Sequence, residues 1–80
     1  MPTVKGIPGA HRFFFYSFDC NEPKNVHVQR EEMMCKFWLD PVALSRNYGF
    51  SARELNQIRT AIKTNLMKIT EAWNDHCGDR

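Results

Sequence analysis

The sequence predicts an α+β domain: a three-stranded antiparallel sheet (β-β-β), then a short helical turn and one long C-terminal amphipathic helix. Two patterns carry this expectation. Residues 11–39 hold three runs rich in aromatic and β-branched side chains, separated by turn formers, two of them alternating with a period of two. Further on, Leu55, Ile58, Ile62, Leu66, Ile69 and Trp73 recur at spacings of 3, 4, 4, 3 and 4, the stripe that one helix face turns toward a core.

The elements follow in order. Pro2, Gly6, Pro8 and Gly9 make residues 1–10 an irregular lead-in, with a short extended piece at Thr3 to Lys5. The aromatic run HRFFFYSF, residues 11–18, forms the first strand. Asp19, Asn21, Pro23 and Lys24 supply turn chemistry before the second strand, where Val26 and Val28 alternate with Asn25, His27 and Gln29. The third strand, residues 33–39, sets Met33, Cys35, Phe37 and Leu39 against Met34, Lys36 and Trp38, and stops at Asp40-Pro41. Residues 41–48 are expected as a helical turn, with Pro41 at its first position and Gly49 closing it. Ser51 and Glu54 form a capping box that opens the long helix, residues 52–75, which Gly78 stops.

At 80 residues the chain has room for one domain, residues 1–80. A core of this size rarely supplies more than about 3–5 kcal/mol unaided, so help from a partner chain is expected. A helix of about 24 residues spans roughly 36 Å, whereas a seven-residue strand covers about 23 Å. The distal stripe as far as Trp73 must therefore rest on residues 40–50, on the lead-in or on another chain, and a homodimer or heteromeric contact is expected there.

The second face of the sheet raises the functional question. The first strand projects Phe14, Tyr16 and Phe18 to one side and Phe13 and Phe15 to the other, while a single helix covers one side only. His27, Gln29, Lys36 and Trp38 share the uncovered side. Residues 1–10 and 40–50 folding back over it as a second small core is one outcome; the others are a protein interface and a surface that stacks bases and neutralises phosphate. The candidate binding set is His27, Gln29, Arg30, Lys36, Trp38, Arg59, Lys63 and Trp73. Arg59 and Lys63 share one flank of the helix, for which a solvated face is the ordinary role.

Signatures of catalysis are sparse. There is no glycine-rich phosphate loop, no paired carboxylates and no Ser/His/Asp set. A thiol nucleophile would be Cys20 or Cys35 with His27 as base, but Cys35 lies among apolar neighbours and reads as core, and Cys20 has no activator in sequence. His27 as acid or base for cleaving RNA, with Lys36 or Arg30 stabilising a phosphorane, is the one mechanism the residues suggest, and it lacks a second acid or base. His11, Cys20, His27, Cys35 and His76 show no tight ligand spacing, so neither metal nor cofactor is expected. Three widely spaced cysteines read as reduced thiols.

With 42% hydrophobic and 25% charged residues the chain is neither disordered nor fibrous. No apolar run approaches the roughly 18 residues of a membrane span, and the start MPTVKGIPG lacks the apolar stretch of a signal peptide; a cytoplasmic protein without membrane contact is expected. A net charge of +2 leaves nucleic acid open as a partner without demanding it.

The stretches HRFFFYSFDCNEPKNVHVQRE and CKFWLDPVALSRNYGFSARELNQI, with the helix ending EAWND, resemble a family of small bacterial proteins known as domain of unknown function 4160. The pattern matches at Tyr16, Asn21, Pro23, Val26, His27, Val28, Lys36, Phe37, Trp38, Asp40, Gly49, Phe50, Ser51, Glu54, Leu55 and Trp73. It departs at Lys24, where the family has a second proline, and at Asn25, where it has the first histidine of a His-Val-His pair. A two-histidine mechanism would be broken or altered here. The resemblance implies a small partner encoded beside another short protein, as in toxin–antitoxin modules. The resulting expectation is a non-enzymatic protein-interaction module. An RNA-binding or RNA-cleaving toxin and a mobile-element inhibitor of a host nucleic-acid-processing complex are the alternatives.

Overall fold

The sheet is a meander of four antiparallel strands in the order β1-β2-β3-β4. They are β1 (Arg12–Phe14), β2 (Asn25–Arg30), β3 (Met33–Leu39) and β4 (Val42–Tyr48). A 3-10 turn, Ser17–Asn21, separates β1 from β2, and two helices, α1 (Ala52–Thr64) and α2 (Leu66–Cys77), close the chain. The computed structural model describes residues 3–78. Among them, no helix is long and apolar enough to cross a membrane.

Period-two alternation divides the sheet as expected. Phe13, Val26, Val28, Cys35, Phe37 and Leu39 face the helices and are buried against Ile58, Ile62, Ile69 and Trp73. The lead-in joins this core: Thr3 bridges Phe14, the Val4 amide donates to the Phe13 carbonyl at 2.8 Å, and Val4 is buried. Ser51 caps α1, its hydroxyl accepting from the Glu54 amide at 3.2 Å.

Four expectations need correction. Residues 41–48 are a strand, not a helical turn. Val42 pairs with Leu39, Ala43 with Trp38 and Leu44 with Phe37; Ser45 is then skipped, and Arg46 pairs with Lys36 and Tyr48 with Met34. This one-residue bulge interrupts the alternation by which a strand is recognised, and it turns Arg46 and Tyr48 to the side facing away from the helices. Secondly, the aromatic first strand ends at Phe14, and Phe18 and Asp19 belong to the 3-10 turn.

Thirdly, the long helix is two helices. Asn65, at φ −109° and ψ 22°, leaves the helical region, and its side-chain amide donates to the Ala61 carbonyl at 2.9 Å. An asparagine that competes for a backbone acceptor is a recognised cause of a helix break. Beyond it, Ile69 and Trp73 enter the same core, with Trp73 edge-on to Phe15 at 5.5 Å, and Lys68 Nζ donates to the Gly6 carbonyl at 3.0 Å. The chain's own lead-in and core thus cover the distal stripe, which no longer argues for a second chain.

Fourthly, Cys20 and Cys77 are joined in a disulfide, with Cα atoms 5.3 Å apart and a sequence separation of 57. The bond ties the 3-10 turn to the last residue of α2. Cys35 alone is a free thiol, buried in the core as expected, and burial pushes its pKa up from 9.0 to about 12.

Candidate functional site

On the sheet side away from the helices, the strand registers place Phe14 opposite His27, His27 opposite Lys36, and Lys36 opposite Arg46. The last pairing exists because of the bulge at Ser45. This row crosses all four strands, and its His27, Lys36 and Arg46 line a cleft of about 270 Å³ whose lining also includes Tyr16, Phe18, Glu22 and Tyr48.

The 3-10 turn folds over the β1 end of that row. Its Asp19 is fully buried and accepts from the Tyr16 amide at 2.7 Å. His27 Nε2 lies 3.0 Å from one Asp19 carboxylate oxygen and 3.3 Å from the other. A carboxylate is an acceptor, so Nε2 carries a proton and donates it to Asp19. Tyr16 meets the imidazole edge-on at 4.7 Å and Phe14 stacks against it at 5.5 Å, which fixes the ring plane. His27 keeps only 8% of its surface exposed.

Lys36 is also held from two sides. Its ammonium forms an ion pair with Glu22 and sits 4.6 Å from the centre of the Trp38 ring. Arg46 is exposed and has no ion pair among the described residues. The cleft walls are aromatic and open to solvent: Phe18 is 60% and Tyr48 59% exposed, and Phe18 stacks on Tyr16 at 5.3 Å.

Of the residues singled out in the sequence, His27, Gln29, Lys36 and Trp38 do gather on this face. Gln29 lies at its hairpin end, donating to the Glu31 carbonyl at 3.3 Å. Arg30 points to α1 and approaches Glu54 at 3.6 Å. Arg59 lies over the Phe37 ring at 5.5 Å and donates to Asn56, so it belongs to the helix side. Lys63 is exposed on α1, and Trp73 is core. The structure adds Tyr16, Phe18, Asp19, Glu22, Arg46 and Tyr48. Asp19 reaches His27 only because the 3-10 turn doubles back. No periodicity announces such a contact.

A family model described as "Domain of unknown function (DUF4160)" matches residues 11–74. The chain belongs to this family. No curated protein matches the chain, and no solved structure does. The matched span contains every cleft residue and stops short of Cys77. Asn25, the departure from the family's His-Val-His pattern, is buried two residues before His27 on the same side of β2. Its amide donates to the Pro23 carbonyl at 2.9 Å, and its Oδ1 is buried with no partner among the described residues.

Proposed function

We propose that the chain is a non-enzymatic binding module that takes a segment of a partner protein into the cleft on the open face of its sheet. The carrying observation is the contrast between walls and floor. Phe18 and Tyr48 stand 60% and 59% exposed, whereas Lys36 and His27 are already matched by Glu22 and Asp19. Lys36 and Arg46 against Glu22 and Asp19 gives two formal positive and two formal negative charges, a sum of zero leaving the imidazole out of the count. A polyanion draws its affinity from cations it can neutralise, and only Arg46 is unmatched here. One unpaired guanidinium between exposed aromatic rings suits a peptide that presents a carboxylate beside an apolar side chain. Aromatic residues and arginine are also the types that carry most binding energy at protein interfaces. One half of a small toxin–antitoxin-like pair, the setting that the family resemblance suggests, fits such a module.

The test is a photo-crosslinking side chain placed at position 18 or 48 in the native host. The reading expects one defined protein captured at both positions and its loss in Arg46→Glu. Capture of RNA at both positions would overturn it.

A second reading rests on the Asp19–His27 pair, which orients an imidazole as acid–base catalysis requires. In that reading His27 takes the 2′-hydroxyl proton of RNA, the 2′-oxygen bonds to phosphorus as the 5′-oxygen leaves with a proton from water, and Lys36 and Arg46 face the phosphate. Cleavage of single-stranded RNA by the purified chain, abolished in His27→Asn with the fold intact, would replace the binding module with a ribonuclease.

A further inference from the structure

A second cluster lies at the far end of the 3-10 turn, outside the cleft. Both sulfurs of Cys20 and Cys77 and a ring nitrogen of His76 lie within 4.8 Å of one another, and all three residues are half-buried. The wide sequence spacing conceals this, because α2 brings His76 and Cys77 back to the turn that carries Cys20.

His76 makes a hydrogen bond of the kind that metal-binding histidines make. Its Nε2 is 3.2 Å from the Tyr16 carbonyl, an acceptor, so Nε2 holds the proton and the lone pair belongs to Nδ1. A metal-bound histidine characteristically donates its other N–H to a carbonyl or carboxylate in this way. The ring also stacks on Phe15 at 5.9 Å with an interplanar angle of 8°, which restricts its rotation.

Tetrahedral zinc with Zn–S bonds of about 2.3 Å and Zn–N bonds of about 2.0 Å separates its ligand atoms by roughly 3.5–3.8 Å. Reduction frees the two sulfurs to move apart toward that spacing, while the His76 ring nitrogen already lies within 4.8 Å of both. Two thiolates balance the charge of one divalent ion, so a half-buried site acquires no net charge.

We infer that Cys20, His76 and Cys77 form a zinc site when the Cys20–Cys77 bond is reduced, with water in the fourth tetrahedral position. A dithiol reductant supplies two electrons and two protons to the S–S bond, becomes a disulfide itself and leaves two thiols. Zinc then displaces both thiol protons and forms two Zn–S bonds and one Zn–N bond. Oxidised and metal-bound forms exclude each other, and each fastens the turn carrying Phe18 and Asp19 to the end of α2.

The experiment uses the full chain reduced with a phosphine under inert gas, stripped of metal and titrated with Co²⁺ and then Zn²⁺. The expected result is a thiolate-to-cobalt charge-transfer band that saturates at one equivalent and is bleached by one equivalent of Zn²⁺. Cys77→Ser should abolish the band, and His76→Ala or His76→Asn should weaken binding at least tenfold. Cys35→Ala should leave it unchanged, because the buried Cys35 thiol, pushed up to about 12, does not ionise near neutral pH. Circular dichroism of each reduced variant checks that the fold persists. A band that grows without saturating, no band at all, or affinity unchanged in both His76 variants would overturn the site and leave a structural disulfide alone.

Discussion

The two faces of one sheet differ in what satisfies them. On the helix side Phe15, Val26, Val28, Phe37, Ile58, Ile62 and Ile69 are almost completely removed from water and need nothing beyond one another. On the open side the buried Phe14 ring packs beside polar groups, the Asp19–His27 pair and Lys36 with Glu22 are matched by each other, and the large apolar groups Phe18 and Tyr48 remain in solvent. Hydrophobic burial makes the first face a source of stability. The second consumes part of that stability to hold charges in fixed positions, as binding surfaces do.

The sharpest way to break this comparison is to truncate neighbours that point to opposite sides. Phe37→Ala removes a ring that is 0% exposed and should destabilise by about 4 kcal/mol, enough to leave a domain of this size largely unfolded in a urea titration. Trp38→Ala, one residue on, loses a half-buried ring and its contact with Lys36, and should lose about 1–2 kcal/mol. Equal losses would mean that the open face is a second core.

Asp19→Ala comes next in size. It leaves the Tyr16 amide and the His27 Nε2–H without their acceptor in a buried place, for an expected loss of about 3 kcal/mol. Asp19→Asn keeps an acceptor oxygen and should recover much of it. A loss below about 0.5 kcal/mol for Asp19→Ala would show that water replaces the carboxylate, and that the 3-10 turn is not held by this contact.

Cys35 tests the covered face through pH. Its folded thiol is raised from 9.0 to about 12, so above pH 9 the unfolded chain releases this proton and the folded chain does not. The contribution is fully present below pH 9 and is lost as pH rises toward 12, with a slope of at most about 1.4 kcal/mol per pH unit. Subtracting the profile of Cys35→Ala cancels the lysines and tyrosines that titrate in the same window. No difference in slope would mean that solvent reaches the thiol.

What the sequence made legible divides along the same faces. The covered face was readable because Val26, Val28, Cys35, Phe37 and the stripe from Ile58 to Trp73 obey simple periods. His27 and Lys36 were placed on the open side by the same alternation, and the register confirms them as direct neighbours. Arg46 and Tyr48 were missed because the bulge at Ser45 breaks the period of two, and because Pro41 and Gly49 imitate the ends of a helical turn. Glu22, Asp19 and the Cys20–Cys77 bond depend on where a short turn lands after the chain folds. Asn65 looked like one polar residue on a continuous helix, and only its backbone angles reveal the break.

The smallest effects on stability should come from the residues most important to the proposed function. Phe18→Ala and Tyr48→Ala remove rings that are mostly in solvent, so each should change unfolding free energy by no more than about 0.5 kcal/mol. The same variants should weaken partner binding at least tenfold, about 1.4 kcal/mol or more, because an exposed ring yields its burial energy only when a partner covers it. Arg46→Ala should behave alike, having no ion pair within the described residues to lose. If Phe18→Ala instead costs about 1.5 kcal/mol or more of stability, its stacking on Tyr16 helps to secure the Asp19–His27 pair, and the aromatic wall belongs to the fold. Stability and binding that move independently at Phe18 and Tyr48, but together at Phe37, would establish that the two faces serve different ends.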